Sequence, residues 1–216
     1  MPGGVTPGDG VTPGGRQPRF PGFDVLAQVS HWDPVTAGVV LSRLGPREPI
    51  QFFSPDEEAI ARPLLDLLLD QHDEPKVPVL EMIDARLTEG STDGWRYADL
   101  PEDGQAWHDT LMALDADAQH AHGTGFAHCT DEQRVPLIQA VQDLGARSWH
   151  GMPAGRVWSL WTRYACTAFY SHPWAWNEIG FGGPAYPRGY KNAGIGRREP
   201  WEVADREDLD PVRGTS

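Results

Sequence analysis

Apolar residues in this chain recur at helical spacing, and period-two alternation is nowhere sustained beyond a few residues, so helices must build the core. The sharpest start is Ser54-Pro55-Asp56-Glu57. Ser54 suits an N-cap, Pro55 the first helical position, and Glu57 completes a capping box. Ile60, Leu64, Leu67 and Leu68 follow as one stripe, and Pro63 inside it predicts a kink or a break. Thr130-Asp131-Glu132-Gln133 repeats the capping chemistry ahead of Leu137, Ile138, Val141 and Leu144. Leu80, Ile83 and Leu87 form a stripe that stops at Gly90, and Asp93–Tyr97 reads as a loop. A helix starting near Pro101 places Trp107, Leu111 and Leu114 together. Asp33-Pro34 opens a weaker segment with Val35, Val39 and Ser42 on one side, because Gly38 and adjacent valines lower helix propensity. From Pro153 to Tyr170, apolar residues cover most of the circumference, as in a helix central to its core or covered by another chain. These patterns predict an all-α fold, an irregular cluster of five or six helices with long connections.

A length of 216 residues suits one ordinary domain. The division expected is a disordered leader over 1–22, a helical domain over 23–170, an extended aromatic tail over 171–201 and a solvated acidic end over 202–216. The leader is rich in glycine and proline and contains Gly-Val-Thr-Pro-Gly twice, at 4–8 and 10–14; such a segment buries too little to offset its ordering entropy. It lacks the basic start, apolar stretch and cleavage site of a secretory signal, so the sequence taken alone reads as cytoplasmic. Export is expected only if a partner carries the chain or the true start lies upstream. The formal charge of −13 opposes binding to phosphate backbones and to anionic membrane surfaces. No apolar run approaches the roughly 18 residues that a membrane span needs. Cys129 and Cys166 are too few for a disulfide framework, and one bridge between them stays open.

Ligand chemistry gathers in one place: His120, His122, His128 and Cys129. A metal there would require three or four such groups to converge. On a helix His120 and His122 point about 200° apart, whereas in a loop, which Gly123 and Gly125 indicate, they could meet. A stand-alone metal-dependent helical enzyme built on this segment is the alternative reading. Against it, no second ligand pair supports the cluster, and CxxC and the haem-attachment CxxCH are absent. Gly180-Phe181-Gly182-Gly183-Pro184 follows no strand and is a turn former rather than a dinucleotide fingerprint, and G-x-S-x-G does not occur. Cys166, in an apolar helix, reads as buried and inert, and Cys129 beside His128 as the better nucleophile. No catalytic, cofactor-binding or metal residue is assigned.

The segment 171–190 has little helical or strand propensity yet holds five large aromatics, which disordered tails lack. It is expected to wrap its own helical core, or also to touch a partner through Tyr170, His172, Trp174, Trp176, Asn177, Phe181, Pro184, Tyr186 and Tyr190, with Trp201 a last anchor. The runs Phe169-Tyr170-Ser171-His172-Pro173, Trp176-Asn177-Glu178-Ile179-Gly180-Phe181-Gly182-Gly183-Pro184 and Pro187-Arg188-Gly189-Tyr190 resemble the gluconate 2-dehydrogenase subunit 3 family. Phe52-Phe53-Ser54-Pro55-Asp56-Glu57 is similar to the family's opening, and the resemblance covers about residues 50–190. It implies an accessory role: a small subunit needed for maturation of a flavoprotein large subunit of the glucose–methanol–choline oxidoreductase family, often accompanied by a cytochrome c. FAD would sit in that large subunit and haem c in the third, with no cofactor in this chain. Small subunits of this kind usually carry a twin-arginine signal, and here Arg16 and Arg19 are not adjacent.

Overall fold

The structure is a computed structural model that describes residues 8, 10–15, 18–91, 98–192, 194 and 197–204. Among these residues the chain forms, in order, α1 (Pro34–Ser42), α2 (Pro55–Leu68), α3 (Val79–Thr88), α4 (Asp103–His122), α5 (Asp131–Leu144), the strands β1 (Ser148–Trp149) and β2 (Met152–Pro153), α6 (Ala154–Tyr170) and α7 (Pro173–Ile179). Three 3-10 segments, Pro13–Gly15, Val25–His31 and Phe126–His128, complete the path. The fold is all-α; the one sheet among the described residues is the antiparallel pairing of Ser148 with Pro153 and Trp149 with Met152. The loop expected over Asp93–Tyr97 lies outside the described residues. The elements group into two units, a helical unit over 47–72 and 78–169 and a tail unit over the residues up to 46, 73–77 and 170 onward.

In the helical unit, both capping boxes form as the sequence predicts. The Ser54 hydroxyl oxygen accepts from the Glu57 N–H, and the Glu57 carboxylate accepts from the Ser54 N–H at 2.9 Å. Thr130 and Gln133 do the same for α5. α2 runs through Pro63 without breaking, because Ile60, Ala61, Leu64 and Leu65 are buried on both sides of the proline. That packing outweighs a helix-interior proline penalty of about 3 kcal/mol. The predicted stripe of α4 is fully buried at Trp107, Leu111 and Leu114. Trp107 makes edge-on ring contacts with Phe53 and Tyr164, and Trp149 meets Trp161 the same way. α6 is therefore central to its own unit, with Val157, Leu160, Trp161, Tyr164 and Phe169 buried.

Polar side chains fix the connections of this unit. Buried Asp84 of α3 accepts the N–H groups of Gln51, Phe52 and Phe53 at 2.8, 2.9 and 3.0 Å, which holds the entry to α2. Asp103 accepts from the Tyr164 hydroxyl at 2.7 Å, and the Trp161 indole donates to Thr110 at 3.1 Å. Asp117 accepts from the Trp149 indole and pairs with His150 across the β1–β2 turn, each at 2.7 Å.

The tail unit has its own small core of Val25, Trp32, Val40 and Trp176, against which Phe23, Leu26, Val29 and Ala37 pack. Asp33 caps α1 by accepting from Val35 and Thr36. The buried side of that helix is set by Val40, however, while Val35 and Val39 face outward. Residues 1–7, 9 and 16–17 of the leader expected over 1–22 lie outside the described residues. Gly10, Thr12, Pro13 and Phe20, which composition alone assigns to that leader, are buried.

Candidate functional site

The tail opens as a helix where an extended path is expected. His172 adopts an extended N-cap conformation and its ring Nδ1 accepts from the Trp174 N–H at 3.3 Å; Pro173 takes the first helical position, and Gly180 (φ 70°) ends α7 in the left-handed region. These local signals outweigh the low propensity of the tryptophans, and the two turns aim Trp176 and Asn177 inward. The Trp176 indole donates to the Tyr170 carbonyl at 2.7 Å, and its ring meets Phe181 edge-on. The Arg43 guanidinium lies over the Trp176 ring and donates to the Ser171 carbonyl at 2.7 Å.

The glycines after α7 are explained by close approach to aromatics. A Cβ on Gly183 (φ 77°) would fall 2.3 Å from Trp32, and one on Gly182 would fall 2.7 Å from Trp201. Arg188 then ties the path together. It donates to the Gln28 side chain at 2.9 Å and to the carbonyls of Gly182 and Pro184, and it stacks over Trp201 at 4.1 Å. Buried Glu199 accepts from the backbone N–H groups of Lys191 and Asn192. Partial burial lowers the guanidinium pKa of Arg188.

The nine residues expected to face a partner therefore divide. His172, Trp176 and Asn177 are buried within the tail unit, and Trp174 and Pro184 are half-buried. Tyr170, Phe181, Tyr186 and Tyr190 are exposed, at 49%, 40%, 67% and 58%, and Ile179 is exposed beside them in sequence. Sequence reasoning did not separate the anchors from the exposed rings, because both groups share one composition.

The histidine segment is a built turn and not a ligand set. His120 and His122 both lie on the last turn of α4 and face solvent, as does His128, whereas Cys129 is buried. Asp115 accepts the Phe126 N–H at 2.8 Å, and Arg134 donates to the carbonyls of Phe126 and Ala127 at 3.0 and 2.7 Å. Among the described residues, no group of three or more His, Cys, Asp or Glu side chains is placed to hold a metal ion. The expected roles of the cysteines reverse. Cys129, read as the better nucleophile, is the buried thiol, and Cys166, read as buried, faces outward on α6. Both are free, and partial desolvation raises the Cys166 thiol. No helix among the described residues is long and apolar enough to cross a membrane.

A histidine–carboxylate pair is built into the helical unit. The His108 ring stacks on Phe52 at 4.6 Å, and its Nδ1 lies 2.5 Å from the Glu57 carboxylate. Burial pushes the Glu57 carboxyl up, but hydrogen bonds from the Ser54 backbone, His108 and the Ser54 hydroxyl together hold it below its usual value.

Residues 55–183, from the first turn of α2 to Gly183 in the tail, match the family model described as gluconate 2-dehydrogenase subunit 3. No curated protein and no solved structure gives a match. The matched span is more than half of the chain, which therefore belongs to the gluconate 2-dehydrogenase subunit 3 family.

Proposed function

We propose that this chain is the non-catalytic small subunit of an FAD-dependent sugar or polyol dehydrogenase complex, and that it binds and stabilises the flavoprotein large subunit. The observation that carries the reading is the family match over α2–α7. The exposed rings of Tyr170, Phe181, Tyr186 and Tyr190 support it, because aromatic side chains bury large area at low entropic cost in an interface. The partner is a large subunit of the glucose–methanol–choline family that carries the FAD, and a cytochrome c subunit with haem is a further member of the assembly. A partner that binds only the folded large subunit raises its folded population by mass action, about 3–4 kcal/mol at 100- to 1,000-fold excess over Kd. That is the physical content of a maturation role. The alternative, a metal-dependent enzyme at His120–Cys129, has no observation in its favour, since its three histidines are exposed and dispersed and its cysteine is buried.

The test is co-expression of tagged chain with a flavoprotein dehydrogenase of the glucose–methanol–choline family, followed by size exclusion with an absorbance scan. A joint peak with flavin absorbance is the expected result. A colourless lone peak at concentrations where the flavoprotein is folded and present overturns the proposal.

A further inference from the structure

The second copy of Gly-Val-Thr-Pro-Gly lies in a slot of the tail unit. The Gly10 N–H donates to the Phe23 carbonyl at 2.9 Å, the Val11 carbonyl accepts from the Asn177 side-chain amide at 2.9 Å, and the Gly14 N–H donates to the Pro75 carbonyl at 2.8 Å. Thr12 and Pro13 are buried between them. The slot admits only glycine at its start, where a Cβ would stand 2.2 Å from the Asn177 amide nitrogen. Every group that makes these contacts is present again, in the same order, in the copy at Gly4-Val5-Thr6-Pro7-Gly8.

The residue after each copy distinguishes them. Gly15, after the second, has a φ of 64°, and a Cβ there would lie 3.1 Å from the Asp73 Cβ. Asp9 follows the first copy. In the same register it would bring a carboxylate against Asp73 and require an L side chain in the left-handed region. The slot thus favours the second copy through one neighbouring position. Shifting the register lengthens the connection to buried Phe20 from residues 15–19 to residues 9–19. Doubling a loop reduces closure only about threefold.

We propose that this slot is a binding site for the Gly-Val-Thr-Pro-Gly segment and that the first copy is a spare occupant, which enters by a shift of register when the second is blocked. Four full-length variants test it by thermal denaturation: Gly4→Val, Gly10→Val, the double variant, and Gly10→Val combined with Asp9→Gly. Gly4→Val is expected to leave the midpoint unchanged. Gly10→Val should lower it by several degrees, the double variant should lower it clearly further, and Asp9→Gly should restore part of the Gly10→Val loss. Equal losses in Gly10→Val and the double variant, or no loss in either, overturn the proposal.

Discussion

Asn177 and Val25 stand 152 residues apart in the chain, yet the Asn177 side-chain oxygen accepts the buried Val25 N–H at 2.8 Å. The same amide donates to the Val11 carbonyl. One side chain therefore supplies the acceptor for the buried Val25 N–H and a donor for the part-buried Val11 carbonyl. Replacing Asn177 with Ala leaves the buried Val25 N–H without a partner, and a loss of about 1–3 kcal/mol is expected for that one unsatisfied group. Denaturant titration measures the loss, and faster amide exchange at Val25 would place it.

Asp84 makes the corresponding prediction for the helical unit. Its carboxylate accepts three backbone N–H groups ahead of α2. Asp84→Ala is expected to cost about 3 kcal/mol, since three hydrogen bonds at about 1 kcal/mol each are lost and the Phe53 N–H stays buried without an acceptor. Asp84→Asn keeps one acceptor oxygen for Phe52 and Phe53 and should cost less. Urea unfolding of the two variants gives the order.

The acid limb of stability should carry a contribution from Glu57. Its folded pKa is lowered from 4.5, because hydrogen bonds from Ser54 and His108 outweigh burial. A group depressed in the folded state stabilises above its unfolded pKa and loses that contribution as pH falls through the folded value. Stability at neutral pH therefore includes the Glu57 contribution, and it fades on acidification below 4.5. Glu57→Gln removes the charge and should flatten that limb, as midpoints measured from neutral pH down to about 3 would show.

The exposed and buried aromatics of the tail should respond oppositely. Tyr186→Ser and Tyr190→Ser touch exposed rings and should shift stability within about 0.5 kcal/mol, while weakening binding to the large subunit. Trp176→Ala removes a ring from the core of the tail unit and should cost about 3–5 kcal/mol with or without a partner. Paired denaturation and binding measurements separate the two classes.

The helical unit was legible because its determinants are local. Ser54 with Glu57, Thr130 with Gln133, and the Trp107, Leu111 and Leu114 stripe are set within a few residues of chain. The tail unit was less legible because its determinants are distant. Gly10 is fixed by Asn177, Gly183 by Trp32 and Arg188 by Gln28, and none of these pairs leaves a short-range pattern. The same reason explains the misplaced faces. Val35 and Val39 share a side of α1, but only the tail-unit core around Trp176 decides that Val40 is the buried residue. The family resemblance was readable in the tail because its glycines and aromatics are adjacent in sequence. Which of those aromatics face outward depends on how the chain folds back.

On the proposed reading, this chain stabilises a flavoprotein partner. The most direct measurement is the flavin content and dehydrogenase activity of the large subunit purified after expression with this chain and without it. Flavin-loaded, active large subunit is expected only when the chain is present, with reduced recovery for the Tyr186→Ser and Tyr190→Ser double variant. Equal flavin occupancy and equal activity in its absence would contradict it.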